Sequence, residues 1–147
     1  MSKFDLDSET ELYRTTQREF VKNGMMAGNP NSSAWVEQHE ALRPNHNLQA
    51  YNLDADDSRG YLPAEIRASE LPHPSLNVMA GEHARSAITR YAKNGHVAVK
   101  MRLGDFLDKG GKVYADVTAI ASNEETGVAL IVTLPEGKQV SVQVVDD

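Results

Sequence analysis

The stretch HVAVKMRL at residues 96–103 has an apolar residue at every second position, and three later runs do the same. These runs are VYADVTAI at 113–120, VALIVTL at 128–134 and QVSVQV at 139–144. Alternation rich in β-branched residues is typical of strands with one buried face. Turn-forming residues separate the runs, as in Pro135-Glu136-Gly137. The pattern predicts a four-stranded antiparallel sheet in meander order, or a small open barrel.

Two helices are predicted before these strands. Ser8 and Glu11 fit a capping box and Gly24 is placed to end a helix, so residues 1–23 are predicted to be helical. A stripe of small and apolar residues at helical spacing predicts a further helix over about 81–94. The stripe consists of Ala80, Ala84, Ala87, Ile88, Tyr91 and Ala92.

The stretch 24–79 contains five of the six prolines and many apolar residues. Two short helices fit between the prolines, one from Ser32 or Ser33 up to Pro44 and one from Pro63 to Leu71. Long irregular segments are uncommon inside a compact domain, and this one is too apolar for a flexible linker. We therefore expect it to lie against another surface.

The predicted fold class is α+β. An N-terminal helix and a loop-rich, irregular arm occupy residues 1–79, and one further helix plus the antiparallel β-domain occupy residues 80–147. A chain of 147 residues with 40% hydrophobic residues can bury a core. The absence of cysteine excludes disulfides and thiolate chemistry. No apolar run reaches the length of a membrane span, and no secretory signal is predicted at the N-terminus.

Charge and motifs exclude several function classes. A formal net charge of −6 argues against direct nucleic-acid binding. No phosphate-binding glycine loop or nucleophile elbow is present. His39-Glu40 begins like a zinc-protease motif, but Arg43 stands where the second histidine is required. We predict no enzymatic activity, no cofactor and no membrane contact.

The acidic stretch 54–65 is a candidate calcium loop. Oxygen-bearing side chains occupy its first, third, fifth and twelfth positions, which are Asp54, Asp56, Ser58 and Glu65. Arg59 stands where the glycine of such a loop belongs, however. An acidic turn that caps the helix after Pro63 explains the same residues. These residues stay candidates, and no metal is assigned.

Two sets of residues are candidates for contact with another protein. Aromatic residues and methionine are favoured at the centres of interfaces, which selects Met25, Met26, Trp35, Tyr51, Leu53 and Tyr61. Residues 82–112 carry seven Lys and Arg against three acidic residues, and Lys100 and Arg102 share one strand face in this band. The first set also fits a second layer packed on the sheet, and the second set also fits a solvated strand face.

The irregular stretch 24–79, rich in asparagine and proline and containing several aromatic residues, precedes a hairpin-rich module at Val97–Val145 in an acidic chain without cysteine. This layout resembles the capsid decoration (cement) proteins of tailed bacteriophages. That resemblance implies a non-enzymatic structural protein of the virion that bridges subunits of the shell. Its partners would be capsid protein and copies of itself. One alternative is a small, acidic, cytoplasmic regulatory protein that binds a single protein partner. A second alternative is a calcium-binding module or a small enzyme.

Overall fold

The computed structural model of the chain describes residues 6–32, 34–40, 65–81, 84–90, 92, 95–116 and 128–145. Within these ranges, eight strands form one antiparallel sheet and two more form a separate small sheet. The two α-helices have six residues each. No helix in these ranges is long and apolar enough to cross a membrane. The described part of the chain is mostly β, so the predicted α+β fold is wrong.

The strands and helices alternate irregularly along the chain. The strands are β1 Glu11–Gln17, β2 Met25–Ala27, β3 Trp35–Glu40, β4 Glu65–Arg67, β5 Ser75–Ala80, β6 His96–Arg102, β7 Val113–Asp116, β8 Val128–Thr133, β9 Gln139–Ser141 and β10 Gln143–Val145. The α-helices are α1 Ala84–Thr89 and α2 Leu103–Asp108, and the 3-10 turns are Arg18–Phe20 and Ala68–Glu70.

The large sheet has the strand order β10-β6-β1-β5-β8-β7-β3-β4, and the small sheet pairs β2 with β9. β1 is a central strand. It pairs with β6 over its whole length, from Glu11 opposite Arg102 to Gln17 opposite His96. On its other side it pairs with β5, where Tyr13 lies opposite Met79.

The main core lies on one face of the large sheet. Fully buried side chains of β1, β6 and β8, such as Leu12, Val99 and Leu130, belong to one cluster with Phe106 of α2 and Val140 of β9. Each such side chain contributes about 1.5–3 kcal/mol on burial. α2 and the small sheet therefore cover this face. The opposite face carries two smaller clusters, one beside α1 and one beside β3 and β4.

The predicted N-terminal helix is wrong, because residues 11–17 form β1. Tyr13, Thr15 and Thr16 favour strands, and the neighbours β5 and β6 supply hydrogen bonds on both sides. The apparent capping box belongs to a turn before the strand. There the Asp7 side chain accepts a hydrogen bond from the Glu9 amide at 2.8 Å.

The two short helices predicted between the prolines are also wrong. Residues 35–40 form β3, whose partners are β4 and β7. Residues 65–67 form β4, and a 3-10 turn over 68–70 follows. Periodicity in such short segments cannot separate helix from strand, and pairing in the sheet decides the outcome. The helix predicted near 81–94 corresponds to the shorter α1, and Gly95 follows it with a φ of 90°.

The strands of the C-terminal half do not form the predicted meander. β7 and β8 are neighbours, but β1 and β5 lie between β6 and β8. The last predicted strand, 139–144, is divided at Val142 into β9 and β10, which lie in different sheets. The proposed boundary between residues 79 and 80 stays a prediction about independent folding. The pairing of β1 with β6 crosses that boundary.

Candidate functional site

A groove of about 380 Å³ lies where the large sheet meets the small one. Side chains of β1 and β5 form its floor, and the segment from the end of the first 3-10 turn through β2 forms its wall. The lining residues are Arg14, Thr16, Phe20, Lys22, Met25, Met26, Ala27, Gly28, Asn29, Pro30, Leu76 and Gln139. The volume lies within the usual range for ligand sites in proteins.

Arg14 is the most unusual residue of this groove. It alternates with Leu12 along β1, so it projects from the face that carries the main core. Its Nη1 donates a hydrogen bond to the Asn77 carbonyl at 3.1 Å, whereas its Nε is buried without a hydrogen-bond partner. Burial lowers the pKa of Arg14 from its ordinary value. An arginine held partly out of water with a free donor is suited to bind a carboxylate or a phosphate.

Thr16 provides a second polar atom without a hydrogen-bond partner at the groove. The residue is 3% exposed, and its Oγ1 has no hydrogen-bond partner. Arg14 and Thr16 are two residues apart on one strand, so both side chains project from the same face. Buried polar atoms normally find a partner, because an unpaired one costs about 1–3 kcal/mol. Both atoms are shielded from solvent, so an acceptor in the groove reaches them only when the two side chains turn toward it.

A tight turn forms the rim above these residues. Lys22 and Met25 exchange two backbone hydrogen bonds of 3.1 and 3.0 Å. Between them, Asn23 has a φ of 54° and Gly24 a φ of 73°. Asn-Gly with two positive φ angles is the preferred pair for such a hairpin turn. The turn places Lys22 at the rim, and Phe20, which is 55% exposed, lies beside it in the lining.

The wall approaches the floor most closely at Gly28. A Cβ on Gly28 would lie 2.8 Å from Cβ of Pro74, so only glycine fits. The next residue, Asn29, forms two backbone hydrogen bonds with Ser75 at 2.8 and 3.0 Å. These contacts join the end of β2 to the start of β5 and fix the width of the groove.

The groove carries the opposite charge to the rest of the chain. Among the described residues, its lining includes Arg14 and Lys22 but no aspartate or glutamate, although the chain as a whole has a formal charge of −6. Desolvated walls strengthen the field of such cations. The groove therefore favours a negatively charged ligand group.

The structure places the predicted contact residues in different regions. Met25 and Met26 line the groove, and Met26 also belongs to the main core. Trp35 lies in β3, near the far edge of the large sheet, where the Arg67 guanidinium lies 5.0 Å from the centre of its ring. Tyr51, Leu53 and Tyr61 lie outside the described residues. A contact role for any of these residues stays a prediction.

Lys100 and Arg102 lie in β6 and form ion pairs within the chain. Lys100 Nζ lies 3.0 Å from Glu11 Oε2, and Arg102 Nη1 lies 2.9 Å from Glu9 Oε1. Arg102 Nη2 also pairs with Asp105 Oδ1 at 3.0 Å. The predicted basic band is thus balanced locally at these two residues, and its contact with a partner stays a prediction.

The candidate calcium residues are not brought together where the structure is described. Asp54, Asp56 and Ser58 lie outside the described residues, and the backbone of Glu65 begins β4. Across the described ranges, no group of three or more His, Cys, Asp or Glu residues could hold a metal. The calcium loop stays a prediction.

Arg14 and Thr16 were missed by the sequence analysis. The signal was present, because Leu12, Arg14 and Thr16 alternate with Tyr13 and Thr15. It becomes informative only when the segment is recognised as a strand, since a charged residue then falls on the buried face.

Comparisons with known proteins place the chain in a family. The family model AvrPphF-ORF-2 matches residues 1–145. A solved structure described as AvrPphF ORF2, a type III effector from P. syringae, has 45% sequence identity to the chain and a TM-score of 0.68. The alignment covers 96% of this chain and 79% of that one. None of the curated proteins matches the chain.

These findings overturn the resemblance to bacteriophage decoration proteins. The family match and the 45% identical structure lead away from a capsid function, from a location in the virion and from capsid subunits as partners. The bacteriophage hypothesis rested on the order of an irregular arm and a hairpin-rich module. That order is absent here, because β1 and β5 are central strands of the large sheet. The chain belongs to the AvrPphF-ORF-2 family.

Proposed function

We propose that this chain is a type III effector that acts by binding one partner in a host cell. Support comes from the family and from the similar structure, which is described as a type III effector. Of the functions considered from the sequence, a small acidic protein with a single protein partner fits this family best. Synthesis in the bacterial cytoplasm, before delivery, is part of the proposal.

The main support for the binding proposal is the buried Nε of Arg14, which has no hydrogen-bond partner, beside a groove that no carboxylate lines in the described part of the chain. A carboxylate or phosphate of the partner would accept from Nε of Arg14 and from the Thr16 hydroxyl once these side chains turn toward the groove, because both donor atoms are shielded from solvent in the free protein. Charge-assisted hydrogen bonds of this kind are short and strong. Lys22 at the rim would add attraction during the approach.

A second candidate is a small phosphate-bearing molecule as the ligand of the same groove. The volume of about 380 Å³ favours it, because grooves of this size commonly hold small ligands. Phe20 and the two methionines of the wall would contact the apolar part of such a molecule. The absence of enzymatic activity stays a prediction under either candidate.

Effector status is tested by a translocation assay. The chain is fused in front of a reporter enzyme that is active only in host cytoplasm, and bacteria with and without a working type III secretion apparatus are compared. We expect reporter signal in the host cell only with the working apparatus. Equal signal from both strains, or none from either, would contradict the proposal.

The ligand is tested by thermal unfolding with acetate, inorganic phosphate and pyrophosphate at constant ionic strength. An anion that binds only the folded state raises the melting temperature by mass action. We expect the melting temperature to rise in the natural protein and to stay unchanged in Arg14→Met. Arg18→Met is the matched control, in which we expect the same rise as in the natural protein. If pyrophosphate raises the melting temperature at a much lower concentration than acetate does, the result favours the small phosphate-bearing molecule as the ligand. Equal rises in both variants would refute the groove as the site.

A further inference from the structure

β1 loses one of its two neighbours halfway along its length. It pairs with β6 through all seven of its residues, whereas its pairing with β5 ends at Tyr13, opposite Met79. Continued in the same register, Thr15 would lie opposite Asn77, but the two strands do not pair there. β1 and β5 therefore separate beyond Tyr13, and the groove, which residues of both strands line, lies at this separation.

Other groups occupy the places that β1 leaves beside β5. Asn29 exchanges two backbone hydrogen bonds with Ser75, at 2.8 and 3.0 Å, where the register would have placed Gln17. The Asn77 carbonyl accepts a hydrogen bond from Nη1 of Arg14 at 3.1 Å in place of one from a backbone amide. Both substitutes give β5 a partner, and neither gives one to the backbone of β1.

The backbone of Thr15 is directed into this separation. Antiparallel strands exchange backbone hydrogen bonds at every second residue pair. Just beyond the two ends of the β1–β6 ladder, the Arg18 amide donates to the Gly95 carbonyl and the Leu103 amide to the Thr10 carbonyl, at 3.1 and 2.9 Å. The even-numbered residues therefore direct their N–H and C=O groups toward β6, and Thr15 directs its own to the other side. Within the described ranges, no strand lies opposite Thr15 on that side, so it presents an open strand edge.

We propose that an extended, acidic peptide segment of the partner pairs antiparallel with β1 at Thr15. This inference rests on the proposed function, since it names the chemistry of the partner that the groove binds. A peptide backbone supplies both the donor and the acceptor that the Thr15 backbone lacks. Side chains alternate along a strand, so the residues on either side of the one opposite Thr15 project on the face of Arg14 and Thr16. An acidic side chain at those positions lies beside the Arg14 guanidinium, and Lys22 at the rim adds attraction.

Amide hydrogen exchange of the natural chain tests whether this edge of β1 is open, since exchange reports local protection. Relative to the unfolded chain, we expect the Thr15 amide to be protected at least about tenfold less than the Arg14 and Thr16 amides, which pair with β6. Equal protection of the three amides would overturn the proposal.

Binding is tested with the short peptide Val-Glu-Val-Glu-Val, acetylated and amidated at its ends. In the proposed pairing the central valine exchanges hydrogen bonds with Thr15, and both glutamates project on the face of Arg14. We expect saturating peptide to slow exchange of the Thr15 amide about tenfold. Methylation of the central valine nitrogen removes one of these hydrogen bonds and is expected to weaken binding about tenfold.

The matched control is methylation of a glutamate nitrogen, whose N–H points away from β1. We expect this change to leave the Kd within about twofold of the unmodified peptide. Equal weakening by both methylations, or stronger weakening by the control, would overturn the proposal. Replacing both glutamates with glutamine is expected to weaken binding about tenfold, and unchanged binding would contradict the acidic character of the segment.

Pyrophosphate separates failure of this inference from failure of the proposed function. If pyrophosphate raises the melting temperature through Arg14 while the peptide leaves exchange of the Thr15 amide unchanged, the groove binds an anion but no strand. The inference then fails, and the groove stays the binding site. If neither the peptide nor pyrophosphate binds, the inference and the proposed role of the groove both fail.

Discussion

Replacing Arg14 with methionine is expected to stabilise the free protein. The change removes the buried Nε that lacks a partner, which relieves a desolvation cost of about 1–3 kcal/mol. It also removes the hydrogen bond from Nη1 to the Asn77 carbonyl, worth about 1.5 kcal/mol for a charged donor. Methionine has a flexible apolar chain that fills the space against Leu76 and Met26. The net expectation is a gain of about 1 kcal/mol.

Urea unfolding of the natural chain and of Arg14→Met measures this gain. A gain of this size corresponds to a rise of about 2–4 °C in melting temperature for a chain of this length. Arg18→Met is the control, because Arg18 is exposed in the first 3-10 turn and its loss is expected to change the free energy of unfolding by less than about 0.5 kcal/mol. A loss of about 1 kcal/mol or more in Arg14→Met would refute the reasoning, because the guanidinium would then be satisfied in the free protein.

Three further changes test the fold and the electrostatics. Gly28→Ala is expected to lower the free energy of unfolding, measured with urea, by about 1–3 kcal/mol, because the added Cβ meets Pro74 and pushes the groove wall away. An unchanged free energy of unfolding would contradict the close approach of Gly28 to Pro74. Leu130→Ala, at a fully buried site, is expected to lower the free energy of unfolding by about 2–5 kcal/mol. A decrease of less than about 1 kcal/mol would contradict the position of Leu130 in the core. Burial, aided by the charge of Glu11, raises the pKa of Tyr13, so the folded state favours the neutral phenol. The free energy of unfolding should therefore fall as pH rises above the ordinary tyrosine pKa of about 10, and fall less in Tyr13→Phe; equal falls would contradict the shift.

The β-rich segments of the C-terminal half were predictable from the sequence, but their arrangement was not. Residues 96–103 and 128–134 have apolar residues at every second position, and they contain β6 (His96–Arg102) and β8 (Val128–Thr133). Their neighbours in the sheet come from β1 and β5, far away in the sequence. The local sequence pattern of a strand does not indicate which distant strand lies next to it in the sheet.

The N-terminal strands were not predicted, because local signals in their sequence favour helices. Ser8 and Glu11 match a capping box, and Pro63 is well placed to begin a helix, but neither signal includes pairing with a distant strand. In β1 that pairing involves all seven residues with β6, which outweighs a single cap. The error in secondary structure also hid the site, because Arg14 on a surface helix needs no explanation.

The groove combines two features that each lower the stability of the free protein. Among the described residues, neither the buried Nε of Arg14 nor the buried hydroxyl of Thr16 has a hydrogen-bond partner. Such unsatisfied groups are expected at functional sites, where stability is given up for binding. The tight Asn23-Gly24 turn and the close contact at Gly28 hold the wall of the groove in place in the free protein.

The most direct test of the central claim is the Nε–H signal of Arg14 in NMR spectra of the chain during a titration with pyrophosphate. We predict a saturable shift of the Arg14 signal, a weaker shift in Thr16→Val, and no shift of the Arg18 signal. A shift that grows linearly for all arginines alike, or no shift at Arg14, would show that the groove does not bind an anion.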